Sequence, residues 1–283
     1  MMQVTAHTTD SITFSLVDPD GAEGFPGEVV AYVTYTVTPY TWHLRMTAIP
    51  TTKTTPIMLS SHTYWNLDAF ANEEANGTAL NHTLSLPYSG QRIYVDGDLI
   101  PTGDIAAIQP GSFNDFRTAP KQIGTNFSSP GDPGLGNCGT GCTGYDTCFL
   151  LNARDALGQY DWQVEGPVAS LSSDFTGIKV DVFTDQHAYQ IFSCGSQNDT
   201  IALKSTQGTD TRRTVPQYGC IVMEVEDWID GINQPEWGRQ PQQVFGPGDP
   251  PYVLNARYDF SVMKDNQPTN YGDGGMKPRP KRH

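Results

Sequence analysis

Apolar and polar residues alternate in short runs along most of the chain. In "SITFSLVD", Ile12, Phe14 and Leu16 share one parity while Ser11, Thr13 and Ser15 share the other. That two-residue period is the mark of a half-buried strand. After the turn-rich "PDGAEGFPG", Val29, Ala31, Val33, Tyr35 and Val37 line up. Beyond "TPYT", Trp42, Leu44, Met46 and Ala48 line up again, so two antiparallel strands joined by a short turn are expected. "TPIMLSSHTYWNL" reads as a further extended segment. The same style returns in "HTLSLPY", "YDTCFLLN", "WQVEG", "VASLSS", "IKVDVFTD", "AYQIFSCG", "GCIVMEVE" and "YVLNARYDFSV". No long helix-period stripe interrupts them, and "NDFRTAPKQIG" and "DWIDGINQ" have room for a helical turn each. The pattern predicts an all-β chain of antiparallel sheets stacked as a large sandwich.

Composition narrows the partners. The 283 residues include 28 Gly and 21 Pro, and the formal net charge is −14. Such a surface repels nucleic-acid backbones and anionic lipid, so neither is expected as a partner. No apolar run is long enough to span a membrane, and "MMQVTAHTTD" has neither the charged nor the apolar part of a leader. One domain is expected over residues 1–270, with a disordered basic tail over 271–283 that ends "KPRPKRH". The Gly-rich stretch 128–144 reads as a surface insertion. Within it, Cys138 and Cys142 lack further ligands for a metal and suit a local disulfide if the compartment is oxidising. Five cysteines and four N-x-S/T matches, at Asn76, Asn81, Asn126 and Asn198, lean towards a secreted parent protein, with a cytoplasmic one as the alternative.

Several residues are candidates for chemistry. On the strand "IVMEVE", Glu224 and Glu226 fall on one side beside apolar neighbours. One of them can act as a general base whose pKa is raised by burial and a like-charged neighbour; a solvated acidic edge is the plainer alternative. His62, in "LSSHTYWNL", is either a satisfied core residue or a proton donor. Parity puts Ser60, His62 and Tyr64 on one face and Trp65 on the other, with Ser60, Ser61 or Asn66 available to orient the ring. His82 reads as a surface residue at a strand start. Asp146 suits a turn cap or a sugar-hydroxyl acceptor. Trp65, Trp228 and Trp237 suit core packing or stacking on a sugar.

Taken together, these segments resemble the aldose 1-epimerase (galactose mutarotase) family. "SHTYWNL" is similar to its N-H-x-Y-F/W-N-L signature, "HTLSLPYSGQRIYVDGDLIPTGDI" to its H-x-L segment leading into V-D-x-x-L-I-P-T-G, and "GYDTCFLLN" to G-Y/F-D-x-x-F-V-L-N. "AYQIFSCGS", "MEVEDWIDGINQP" and "DPDGAEGFPGEVVAYVTYTV" also resemble family segments, in the family's order, from about residue 10 to about residue 263. The resemblance implies a β-supersandwich and interconversion of the α and β anomers of a free aldose, with no cofactor or metal. By position it implies Glu224 as general base, His62 as general acid, and Asp146 and Gln190 as sugar-binding residues, with acid and base on opposite sides of the C1–O5 bond.

The resemblance also has gaps. The family's leading portion, with a substrate-binding arginine and a further active-site histidine, has no counterpart here, so an incomplete sandwich with exposed apolar surface is expected. Glu226 stands where the family has Gln, and Ser61 where it has Asn. A relative that binds carbohydrate without turning it over is therefore the alternative to the epimerase.

Overall fold

The structure is a computed structural model that describes residues 2–127, 134–151, 161–264 and 267–269. Its strands in chain order are β1 (Gln3–His7), β2 (Ser11–Asp18), β3 (Val29–Thr38), β4 (Thr41–Pro50), β5 (Thr55–Pro56), β6 (Tyr64–Trp65), β7 (Thr83–Ser85), β8 (Gln91–Val95) and β9 (Pro101–Ala107). There follow β10 (Lys121–Gln122), β11 (Asp146–Leu150), β12 (Ala169–Ser172), β13 (Ile178–Thr184), β14 (Ala188–Phe192), β15 (Ile221–Glu226), β16 (Val244–Phe245), β17 (Tyr252–Lys264) and β18 (Gln267–Thr269). The helical elements are short, such as the single turn Gln240–Gln243.

Two antiparallel sheets form the body. The larger runs β1-β2-β3-β4-β17-β13-β12-β7-β10, with β18 beside β17. The smaller runs β6-β15-β14-β11-β8-β9. Strands far apart in sequence therefore pair directly: Leu254 of β17 sits opposite Met46 of β4. The main core lies between the sheets. Leu44, Met46, Leu84, Leu171, Val180, Val182, Leu254 and Ala256 from the larger sheet meet Phe149, Tyr189, Ile191, Met223 and Val225 from the smaller. Each fully buried side chain of this size contributes about 1.5–3 kcal/mol by leaving water.

The hairpin expected over residues 29–50 is present, turning at Pro39 and Tyr40 with full register from Val29↔Pro50 to Thr38↔Thr41. Several expectations are corrected. "TPIMLSSHTYWNL" forms only β5 and β6, because the backbone between them bonds to other segments instead of a neighbouring strand. The Leu59 N–H donates to the Tyr252 hydroxyl at 3.2 Å, and the Ile57 N–H donates to the Gln243 carbonyl at 2.8 Å. "WQVEG" is a turn, and neither "NDFRTAPKQIG" nor "DWIDGINQ" holds a helix. Strands β1, β8 and β9 are additions to the expected set. The expected tail, 271–283, lies outside the described residues, as does 128–133 of the Gly-rich stretch.

An open, largely apolar groove of about 750 Å³ runs over Val29, Ala31, Val33, Met46 and Ala48 and reaches Ser60 and Ile229.

Candidate active site

Parity on the smaller sheet separates core from chemistry. Met223 and Val225 of β15 point into the main core, so Val222, Glu224 and Glu226 point to the other face. Across the ladder Glu224 is opposite Gln190, and Gln190 is opposite Cys148. Asp146, two residues before Cys148, shares the face. The four residues singled out by the resemblance thus come together, three on adjacent strands and His62 from the irregular segment that enters β6.

His62 Nε2 lies 3.4 Å from Glu224 Oε1, with the histidine side chain 49% exposed and the glutamate 15%. The imidazole packs against Tyr64 with ring centroids 4.8 Å apart. Trp65 turns the other way, onto Tyr258 and Phe260, as the parity of the segment predicts. None of the proposed orienting residues bonds His62. Ser61 pairs its hydroxyl with Thr63 at 3.2 Å. Asn66 is a clasp: its amide donates to the Gly219 and Gly77 carbonyls and accepts from the Asp68 and Phe70 N–H groups.

Gln190 Nε2 donates to Asp146 Oδ1 at 2.6 Å. The loop before Asp146 is built to hold it. Tyr145 stacks on Phe113 at 4.7 Å and donates its hydroxyl hydrogen to the Phe113 carbonyl. Gly144 has φ +138°, and a Cβ there would meet Ser193 Oγ at 2.5 Å, so a side chain is excluded by conformation and by space. The Cys138–Cys142 disulfide closes the turn upstream.

The electrostatics follow from burial on an acidic face. The Glu224 carboxyl is raised above its ordinary range mainly by burial; the nearby His62 offsets this and Asp146 adds to it. Asp146 is raised by burial, with Gln190 and His62 pulling it back. Glu226 is raised well above the usual carboxylate range, first by desolvation, then by Glu224, Asp227 and Asp146. It is not a solvated edge residue. It is buried on β15 opposite Ala188, a member of the small cluster of Ile93, Cys148, Leu150 and Ala188 that Trp228 and Trp237 cover. The Gln190 Oε1 and Glu226 Oε1 oxygens are buried, with no hydrogen-bond partner among the described residues.

His82 is corrected outright. It is fully buried, its Nε2 accepts the Leu67 N–H at 2.9 Å and its Nδ1 faces Asn81 Oδ1 at 3.1 Å. Burial lowers its pKa, and its role is to satisfy buried backbone. The loop 227–239, beyond Glu226, is held by Arg239, which forks onto Asp227, and by Gln243, whose amide donates to Asp227 and to the Trp228 carbonyl. No local pattern in the sequence announces this clasp, nor the Cys194–Cys220 disulfide. Among the described residues no cluster of His, Cys, Asp and Glu is arranged to hold a metal, and no helix is long and apolar enough to cross a membrane.

The profile of the family described as aldose 1-epimerase matches residues 3–249. The chain belongs to the aldose 1-epimerase family. A "Probable aldose 1-epimerase" of Arthroderma benhamiae is 41% identical to it over 92% of this chain, which covers 62% of that relative. The human "Galactose mutarotase" is 27% identical over 90% of this chain and 64% of its own length. The chain thus spans less than two thirds of these curated relatives. Among solved structures, the GalM/aldose epimerase homologue from C. elegans superposes with a TM-score of 0.71 at 20% identity, over 93% of this chain and 69% of that one. That likeness establishes the mutarotase-like sandwich.

Proposed function

We propose that this chain of the aldose 1-epimerase family opens and recloses the ring of a free aldose, interconverting its α and β anomers. Glu224 takes the proton of the C1 hydroxyl while His62 protonates the ring oxygen. The C1–O5 bond breaks, the carbonyl turns about C1–C2, and the two groups exchange roles as the ring closes. Asp146 and Gln190, already bonded to each other on this face, hold sugar hydroxyls.

The observation that carries this reading is the shielded Glu224 carboxylate 3.4 Å from His62. It differs from the separated pair that the resemblance implies. Contact with His62 offsets the burial that raises the Glu224 carboxyl, and so favours the ionised form that a base needs. Admitting a C1–O5 bond between them then requires His62, the more exposed partner, to swing away from Glu224.

A second reading, binding without turnover, draws on the open groove beside Ser60. Polarimetry of freshly dissolved α-D-glucose and α-D-galactose decides between them. The epimerase reading expects faster mutarotation with the chain, lost by about 100-fold or more in Glu224→Gln. Sugar binding by a folded chain that speeds nothing supports the second reading.

A further inference from the structure

Two disulfides, Cys138–Cys142 and Cys194–Cys220, tie surface loops of this chain. Disulfides of this kind persist in oxidising compartments, and the N-x-S/T matches are acceptor motifs used on the same route. The four motifs are not equivalent in the fold. Asn81 is half-buried and its Oδ1 faces the buried His82 imidazole. The Asn126 motif is completed by Ser128, outside the described residues. Asn76 and Asn198 are both exposed, and in both the amide oxygen is occupied while no bond from the described residues engages the nitrogen. Asn76 Oδ1 accepts from Arg212 Nη2 at 2.6 Å, and Asn198 Oδ1 accepts from the Thr200 hydroxyl at 2.7 Å. Nδ2 is the atom that an N-linked sugar occupies.

The two sites are also neighbours. Arg212 reaches Asn76 with one guanidinium nitrogen and Asp199, next to Asn198, with another at 2.7 Å. Both lie where the loop closed by Cys194–Cys220 packs on the turn at residues 72–78, and none of the residues around the hollow at Asn76 belongs to the catalytic set.

We propose that Asn76 and Asn198 are N-glycan acceptor sites, two carbohydrate attachments at the loop end of the molecule, and that Asn81 is not. In the transfer, the anomeric carbon of an oligosaccharide leaves the phosphate of a lipid pyrophosphate donor and bonds to Nδ2, which gives up one proton. The lipid pyrophosphate is the leaving group. The inference stands apart from the catalytic reading.

The test is to direct the full chain into the secretory pathway of a eukaryotic host. The product is then treated with peptide N-glycosidase in heavy-oxygen water and its peptides mapped by mass. Expected is conversion of Asn76 and Asn198 to oxygen-labelled Asp, with Asn81 unlabelled. Asn76→Gln and Asn198→Gln should each remove one step of gel mobility, as should Thr200→Ala. Material retained inside the host is analysed from its microsomes, where transfer has already taken place, so failure to secrete does not stop the measurement. Unlabelled Asn76 and Asn198 in that material, or labelled Asn81, overturns the proposal.

Discussion

Glu224 and Glu226 stand two residues apart on one strand face, and their surroundings give them different work. Glu224 has His62 at 3.4 Å; Glu226 is buried with no cation beside it among the described residues. Both carboxyls are raised, so each holds its proton more tightly in the folded chain than in the unfolded one. For Glu226 the folded state is therefore progressively disfavoured as pH rises from the ordinary carboxylate range towards the raised value. Glu226→Gln should raise Tm at neutral and alkaline pH by a few degrees, about 2–4 °C per kcal/mol regained. The gain should vanish in melts at pH below the ordinary carboxylate value of about 4. A gain that is equal at all pH values rules this origin out. On the proposed mechanism Glu224 acts in its ionised form, so kcat/KM should fall on acidification at a pH above the usual glutamate range. Asp146→Asn removes a negative charge that holds Glu224 up, and should move that acid limb to lower pH. An unmoved limb in the pH–rate profile would contradict the assignment of the base.

The elements around the site depend on contacts made at long sequence range. Arg239, itself mostly buried, is the counter-ion of the buried Asp227 and holds the loop that follows Glu226. Arg239→Ala should cost about 3–5 kcal/mol, because it leaves a buried carboxylate unpaired; chemical denaturation measures it, and a change below about 1 kcal/mol counts against the clasp. The two disulfides differ in the loops they close. Cys194–Cys220 spans a separation of 26 and Cys138–Cys142 one of 4. Chain entropy gives the first roughly 3.5 kcal/mol and the second roughly 2. Replacing Cys194 and Cys220 with Ser should lower Tm more than replacing Cys138 and Cys142, and the reverse order in calorimetry would show that loop length is not what decides. Legibility differs at this scale too. The 29–50 hairpin was readable because both strands alternate over ten residues and turn on themselves. The segment 57–63 was not, because its apolar run is held by Tyr252 and Gln243 from near the other end of the chain.

At the scale of the molecule, the main core lies between the sheets, and its members Val33, Met46 and Ala48 on β3 and β4 open onto an apolar groove. The native chain should bind an apolar fluorescent dye there. Ala31→Glu, at the floor of the groove, should cut that binding several-fold while leaving the melting transition cooperative. Undiminished dye binding would locate the apolar surface elsewhere. The alternation of side chains was enough to determine an all-β chain, because a period of two leaves one face to bury and one to wet. Motif order was enough to bring out Glu224, His62, Asp146 and Gln190. Only the tertiary structure decided that Glu226 and His82 are buried, that His62 rests against Glu224, and that Cys194 pairs with Cys220. Each depends on what strands and loops distant in sequence lay over the residue. A one-dimensional pattern carries the direction in which a side chain points, but not what covers it.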